Sequence, residues 1–214
     1  MGAGRKGDSS LTQIIKEENP ESSEKAALFI NRGGVIIYPT ETLYGIGADA
    51  MNEESVRRVF EIKGRREDNP VPILVRDKNM MDELAVIPEV GRLLIDKFLP
   101  GPLTLVLKRK KDLPGIITAE TDRVAIRISG HPFVRRLFNL ISGPITSTSA
   151  NISGMSNLLD FRSVFETFND KVELIVDSGT LPPSKGSTII DLTTTPPSIL
   201  REGDISRDML EEFF

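Results

Sequence analysis

Residues 35–47 read Val-Ile-Ile-Tyr-Pro-Thr-Glu-Thr-Leu-Tyr-Gly-Ile-Gly. The first four residues form an apolar run, which predicts a buried strand over 35–38. The residues after it place two threonine hydroxyls, a carboxylate and two glycines in one loop, and glycine lets a backbone approach a ligand closely. Further along, the chain carries Lys63-Gly-Arg65. Hydroxyl groups and accessible backbone on one side and two cations on the other indicate a site for an anionic ligand.

Outward from this stretch, helix and strand patterns alternate along the chain. Helices are predicted over 20–31, 52–63, 77–85, 88–98, 132–141, 160–168 and from residue 206 onward. Strands are predicted over 10–16, 35–38, 73–75, 104–107, 124–128, 172–176, 187–192 and 198–201, with a further short strand at the start of 144–151. The alternation predicts one α/β or α+β domain with a mixed sheet over residues 10–214, after a disordered tail at 1–9.

Composition excludes several classes of protein. The chain has 214 residues, of which 39% are hydrophobic, and a net charge of −4, so bulk charge argues against non-specific nucleic-acid binding. The absence of cysteine excludes disulfides, zinc–thiolate sites and cysteine nucleophiles, and it suits a cytoplasmic location. No apolar run reaches the roughly 18 residues that a membrane span needs. We therefore expect a cytoplasmic protein without a membrane anchor.

Three local patterns have ordinary structural explanations. Gly45-x-Gly47-x-x-Ala50 matches a dinucleotide fingerprint, but that fingerprint should open a helix directly, and the next predicted helix begins only at Asn52. The only histidine, His131, precedes a proline at a predicted helix start, which favours a capping or surface role. The basic run 108–111 is interpreted as a solvated hairpin tip, with a contact to an RNA backbone as the alternative.

Polar residues follow several of the predicted strands. Ser147-Thr-Ser-Ala-Asn151, Ser187-Thr188 and Arg201 all lie at strand ends. Turn chemistry alone can explain any one of these clusters. Because they come from separate strands, we expect them to converge on one pocket.

Six motifs in fixed order resemble the Sua5/YrdC/YciO family over nearly the whole chain. They are the 38–47 stretch, Lys63-Gly-Arg65 with Asn69-Pro70, Val124-Ala-Ile-Arg127, Ser147-Thr-Ser-Ala-Asn151, Ser187-Thr-Ile-Ile-Asp191 and Ile199-Leu-Arg201. Each motif is unspecific alone, whereas the combination is highly specific. The resemblance implies a YrdC-like α/β fold, with a twisted mixed parallel and antiparallel sheet, flanking helices and a large concave basic cleft.

The resemblance also implies an activity. The best-understood members of the family are threonylcarbamoyl-AMP synthases, which condense L-threonine, bicarbonate and ATP to threonylcarbamoyl-AMP and pyrophosphate for the t6A modification of tRNA. We therefore expect ATP, L-threonine and bicarbonate as ligands, Mg²⁺ with the triphosphate, tRNA and the t6A-transfer complex as further partners, and a monomer. The long relatives add a C-terminal domain over the ATP site, and we expect this chain to be a short form that lacks it.

Roles for individual residues follow from the same resemblance. Thr42 and Arg127 are expected to hold L-threonine, with Ser147 and Ser187 beside it. Lys63 and Arg65 are the expected catalytic cations, and no residue is expected to ligate a metal directly. The residues expected at the nucleotide are Arg65, Asn69, Ser149, Asn151 and Arg201.

The chain departs from the family pattern at three positions. Arg66 stands where a proline is frequent, Leu74 where long relatives carry a histidine, and Arg123 where a threonine is frequent. Three alternatives therefore stay open: a YciO-type protein with little synthase activity, a module that binds double-stranded RNA or tRNA, and a carbamoyl-transfer enzyme like the related domain of hydrogenase-maturation proteins.

Overall fold

The computed structural model describes residues 11–110 and 113–214. The tail predicted for residues 1–9 and the last lysine of the basic run lie outside the described residues. The helices are α1 Ser22–Asn31, α2 Glu53–Lys63, α3 Lys78–Leu84, α4 Glu89–Phe98, α5 Gly115–Thr118, α6 Pro132–Phe138, α7 Phe161–Phe168 and α8 Arg207–Glu211. The strands are β1 Gln13–Lys16, β2 Ile36–Pro39, β3 Tyr44–Gly47, β4 Ile73–Leu74, β5 Ala85–Val86, β6 Leu103–Arg109, β7 Arg123–Arg127, β8 Ile145–Thr146, β9 Thr148–Ser149, β10 Leu174–Asp177, β11 Thr188–Asp191 and β12 Ser198–Arg201.

The strands form two mixed sheets. One has the order β1-β10-β2-β3-β9, with parallel pairing from β1 through β2 and antiparallel pairing beyond. The other has the order β12-β11-β6-β7-β4-β8, and β5 pairs with β6 outside that path. In it, β11 is parallel to β6 and β4 is parallel to β7, while the other pairs are antiparallel. The predicted α/β class with mixed pairing is confirmed, and the strands are divided between two sheets.

Helix α2 forms as its sequence predicts. Asn52 caps it by accepting a hydrogen bond from the Ser55 N–H, and Gly64 ends it in the left-handed conformation at φ 59°. Its apolar face buries Val56, Val59 and Phe60, which places Lys63 and the residues after it next to both sheets. The helix end therefore positions two of the residues predicted to be functional.

The loop predicted between residues 39 and 47 contains a strand. Residues 44–47 form β3, antiparallel to β2. A Cβ atom added at Gly47 would lie 2.6 Å from Cε1 of the fully buried Tyr38, and one at Gly45 would lie 3.1 Å from its Cζ. The two glycines thus make room for the Tyr38 ring. The pattern missed β3 because glycine weakens any strand signal.

The other local expectations have mixed outcomes. His131 caps α6, where its Nδ1 accepts a hydrogen bond from the Phe133 N–H at 3.3 Å, as predicted. The solvated position predicted for the basic run is borne out, since Lys108 and Lys110 are exposed at the end of β6. The run is not the tip of a tight hairpin, because Lys108 is paired in register with Arg123 inside the antiparallel β6–β7 ladder and the connection between these strands passes through α5. Lys110 Nζ donates to the Asp82 carbonyl at 2.7 Å.

Candidate functional site

A cleft of about 340 Å³ opens between the two sheets. Its volume lies within the roughly 300–1,000 Å³ range of small-molecule sites. Residues from β3, β6, β7, β11 and β12 line it, together with the loops that precede β3, follow α2 and join β8 to β9. Arg65, Arg127 and Arg201 line it, and none of the lining residues in the described part of the chain is acidic. The predicted basic cleft is therefore present.

Arg127 and Thr42 form the floor of one end of the cleft. Arg127 ends β7 and is 5% exposed. Its Nε donates to the Gly101 carbonyl at 3.0 Å, and its Nη1 donates to Thr42 Oγ1 at 3.2 Å. Its Nη2 is paired with Glu41 Oε1 at 2.9 Å. A guanidinium carries five N–H groups, so these three contacts leave two of them for a ligand.

Ser187 and Arg201 lie beside this floor. The Ser187 hydroxyl is 2.8 Å from that of Thr104, and Arg201 Nη2 donates to the Ser187 carbonyl at 2.7 Å and to its hydroxyl at 3.2 Å. Burial, and then the charge of Arg127, lower the pKa of Arg201 below its ordinary value. The two arginines therefore repel one another across the cleft, and an anion between them would relieve that repulsion.

The loop around Ser147 and Ser149 forms the opposite wall. The Ser147 N–H donates to the Pro72 carbonyl at 2.7 Å, and the Ser149 hydroxyl lies 2.5 Å from Asn151 Oδ1. Both serines line the cleft. Asn151 does not line the cleft, and its Nδ2 donates to the carbonyls of Ile152 at 3.0 Å and Met155 at 2.7 Å.

Lys63 lies behind this wall. Its side chain is 2% exposed, and Nζ donates to the carbonyl of Ser149 and, at 2.7 Å, to that of Asn151. Burial, with the nearby charge of Arg65, lowers the pKa of Lys63 to about 7. Neither Lys63 nor Asn151 lines the cleft. Their direct contact with substrate stays a prediction, while their placement indicates that they hold the 149–151 loop in shape.

Arg65 lines the cleft and also stabilises its own loop. Its Nε donates to the Asn69 carbonyl at 3.0 Å, and its Nη2 donates to Asn69 Oδ1 at 2.8 Å and to the Pro70 carbonyl at 2.6 Å. Burial lowers the pKa of Arg65. The structure thus brings Arg65 and Asn69 together at the edge of the cleft. These three hydrogen bonds use Nε and Nη2 of Arg65 and do not involve Nη1.

Of the residues predicted to bind substrates, eight line one cleft. They are Thr42, Arg65, Asn69, Arg127, Ser147, Ser149, Ser187 and Arg201. The three positions that depart from the family pattern do not line the cleft. Leu74 is fully buried in β4, Arg66 pairs with Asp68 at 2.6 Å, and Arg123 pairs with Asp191 at 3.1 Å.

Glu41 is the residue that the sequence interpretation left without a role. Its Oε1 lies 2.9 Å from Arg127 Nη2 and accepts the Gly130 N–H at 3.1 Å, and its Oε2 accepts the Ser129 hydroxyl at 2.5 Å. Burial by itself would raise the pKa of Glu41, but the charge of Arg127 and these hydrogen bonds hold it below the ordinary value. Its place between two threonines of the opening stretch was the available signal.

Comparison with known proteins gives the family. The model of the Sua5_yciO_yrdC family, described as telomere recombination, matches residues 28–203. The chain belongs to the Sua5/YciO/YrdC family. It is 42% identical to the threonylcarbamoyl-AMP synthase of Pyrococcus abyssi over 87% of its own length and 55% of that protein. It is 40% identical to a putative threonylcarbamoyl-AMP synthase of Methanocaldococcus jannaschii, over 90% of its own length and 94% of that protein.

A solved structure of the family resembles this one closely. The crystal structure of P. abyssi Sua5 complexed with L-threonine superposes with a TM-score of 0.89 at 39% identity and covers 95% of this chain. The chain covers 61% of that protein. The chain thus spans between half and two thirds of the length of these P. abyssi matches, at 55% and 61%.

Proposed function

We propose that the protein is an L-threonylcarbamoyladenylate synthase, which condenses L-threonine, bicarbonate and ATP to threonylcarbamoyl-AMP and pyrophosphate for the t6A modification of tRNA. Relatives that carry this name and a relative crystallised with L-threonine support the proposal. The observation that carries it is the buried Arg127, which lines one cleft together with hydroxyl groups and two further arginines and with no acidic residue of the described chain.

The end of the cleft at Arg127 suits an amino acid. A carboxylate could accept the two N–H groups of Arg127 that Gly101, Thr42 and Glu41 leave, and arginine–carboxylate pairs are strong and directional. Thr42, Ser147 and Ser187 supply hydroxyls around the same space. We propose that they orient the ammonium and the side-chain hydroxyl of L-threonine.

The end of the cleft at Arg65 suits the phosphates of ATP. In the proposed reaction, the neutral threonine amine bonds to the carbon of CO₂ and gives up one proton, or to that of bicarbonate with loss of one water, and either route gives a carbamate. A carbamate oxygen then bonds to the α-phosphorus, the α–β phosphoanhydride bond breaks, and pyrophosphate leaves. Both reactants are anions, so Arg65 and Arg201 would lower their mutual repulsion and stabilise charge on the phosphates. Fixing the two reactants in one cleft also removes much of the entropic barrier.

Mg²⁺ remains part of the proposal as a companion of ATP. Magnesium prefers carboxylate, phosphate and water oxygens. In residues 11–110 and 113–214, no group of three acidic or histidine side chains could hold a metal ion, and the cleft lining offers hydroxyls and carbonyls but no carboxylate. The residues present therefore do not form a magnesium site of their own, and the ion would be held by the triphosphate. No step is assigned to it.

The partners and location of the protein follow the proposed activity. We propose that the adenylate passes to the t6A-transfer complex and tRNA in the cytoplasm, which suits a chain without cysteine. No described helix is long and apolar enough to cross a membrane.

A turnover assay tests the function. Purified protein is incubated with ATP, Mg²⁺, bicarbonate and either L-threonine or L-serine, and pyrophosphate and the adenylate are measured. We expect product that depends on L-threonine, with a modest preference over L-serine, because one methyl group discriminates by only about tenfold or slightly more. If no adenylate forms and tRNA binds with a steep salt dependence, the RNA-binding alternative is favoured instead.

A further inference from the structure

Glu41 forms a closed set of contacts behind the Arg127 end of the cleft. Its carboxylate accepts hydrogen bonds from Ser129 and Gly130 and lies 2.9 Å from Arg127 Nη2. Its side chain is 24% exposed and that of Arg127 is 7% exposed, so water screens this pair of charges only weakly. Glu41 does not line the cleft. It reaches a ligand only through the arginine.

The contact between Glu41 and Arg127 neutralises the buried cation without using all its N–H groups. Nε and Nη1 of the arginine donate to Gly101 and Thr42, and Nη2 lies 2.9 Å from Glu41 Oε1. Because a guanidinium carries five N–H groups, these three contacts leave one hydrogen on each of Nη1 and Nη2 for another acceptor.

Other titratable groups lie near each member of the Glu41–Arg127 pair. Arg201 lies near enough for its pKa to be lowered by the charge of Arg127. On the far side, His131 is influenced by Glu17, Glu41 and Arg136. Glu41 is the one acidic group of the described residues in direct contact with the arginine. Among the acidic groups of the described residues, Glu41 therefore has the largest effect on the affinity of Arg127 for an anion.

We propose that Glu41 is a positioning residue that sets how strongly the cleft binds a carboxylate: it holds the Arg127 guanidinium in place, and its negative charge limits the affinity for the carboxylate of the ligand. This inference rests on the proposed function for its natural ligand, L-threonine. Without a ligand, Glu41 stabilises the buried cation. With a ligand bound, two carboxylates share one guanidinium and repel one another.

The proposal predicts opposite effects on stability and on binding. Glu41→Gln keeps the shape of the side chain and a carbonyl oxygen for Ser129 or Gly130, but it removes the charge. The unliganded protein should become less stable because Arg127 loses its counter-charge. Binding of L-threonine should become about tenfold tighter because one like charge near the ligand is gone. L-Threoninol, in which an alcohol replaces the carboxylate while the ammonium stays, should bind Glu41→Gln no more tightly than the wild-type protein.

The experiment is calorimetric titration of L-threonine and L-threoninol into the wild-type protein and Glu41→Gln, with thermal unfolding of each protein without a ligand. Glu17→Gln is the matched control, because Glu17 is a similarly buried carboxylate that does not contact Arg127. We expect tighter L-threonine binding and a lower unfolding temperature for Glu41→Gln alone. In turnover, the KM for L-threonine should fall without a rise in kcat.

Several results would overturn the proposal. They are unchanged or weaker L-threonine binding by Glu41→Gln, an equal gain for L-threoninol, or the same gain in Glu17→Gln. If Glu41→Gln is unfolded alone, L-threonine should restore its fold, and failure to do so also overturns the proposal. If the wild-type protein binds no L-threonine, the proposed substrate is wrong. Acetate, followed by its effect on thermal unfolding of both proteins, then decides the role of Glu41 separately.

Discussion

The two ends of the cleft are built in different ways. At one end, Arg127 ends a central strand and Ser187 immediately precedes another, and both side chains are buried. At the other end, Arg65 and Asn69 lie on the loop after α2, and they are bonded to one another and to that loop. Strand pairing fixes the direction of a side chain whether or not a ligand is present. A side chain on a loop can instead form its hydrogen bonds with neighbouring residues of the same loop. The arginine floor is therefore preorganised, and the loop end has to exchange internal hydrogen bonds for those of a ligand.

We call the end of the cleft at Arg127 and Ser187 the strand-held end and the end at Arg65 and Asn69 the loop-held end. A substitution at the strand-held end should have the largest effect on stability and binding. Arg127→Ala leaves Glu41 without its charged partner, and we expect the free energy of unfolding to fall by about 3 kcal/mol. L-Threonine should bind about 10–100-fold more weakly, because a charge-assisted hydrogen bond is lost, and ATP binding should change less. Chemical denaturation and calorimetry measure both effects.

Arg123→Ala is the control for that variant. Arg123 lies on the same strand, but its side chain is 50% exposed where it pairs with Asp191. It should lose less than about 1 kcal/mol and bind L-threonine normally. Equal losses in the two variants would contradict the special position of Arg127.

A substitution at the loop-held end should affect turnover more than stability. Arg65→Ala should lower the rate of pyrophosphate release by about 10²–10³-fold, the size seen when one preorganised charge-stabilising group is removed. Its free energy of unfolding should stay within about 1 kcal/mol of wild type. The adjacent Arg66→Ala is the matched control, since Arg66 is exposed and pairs only with Asp68. Normal turnover in Arg65→Ala would remove the nucleotide role of this end.

Lys63 contacts the backbone of the 149–151 loop, and its titration distinguishes a buried structural cation from an exposed catalytic one. Its pKa in the folded protein is about 7, below the value of about 10.4 in an unfolded chain. Between these values the unfolded state binds more protons, so the stability of the wild-type protein should rise with pH. Relative to Lys63→Met, we expect the wild type to gain about 3 kcal/mol between pH 6.5 and 9.5. Parallel stability curves for the two proteins would show that Lys63 is solvated.

The smallest effect should come from the packing behind the strand-held end. Gly47→Ala forces a methyl group against the buried Tyr38 ring and should destabilise the protein by about 1 kcal/mol or slightly more. Gly143→Ala meets no atom closer than 3.8 Å and should be nearly neutral. Thermal unfolding compares them. A neutral Gly47→Ala would mean that the glycines serve the ligand and not the tyrosine.

Local patterns predicted most of the secondary structure, and the exceptions share a cause. Helix α2 was predictable because its cap, its apolar spacing and its terminal glycine all agree. The strand β3 was not, because its glycines are explained only by a tyrosine that faces them from the neighbouring strand. The basic run at the end of β6 was misinterpreted because charge reports exposure but not where a connection runs.

The sequence alone determined the order of the motifs, the absence of cysteine and the types of group available for an anion. These properties depend only on residue types and their spacing along the chain, and not on which residues are in contact in the folded protein. Only the tertiary structure decided which groups reach the cleft: it directed Lys63 and the Asn151 amide at backbone carbonyls, and it paired the buried Arg127 with Glu41, which does not line the cleft. These outcomes depend on contacts between residues more than eighty positions apart, and no local pattern specifies such contacts.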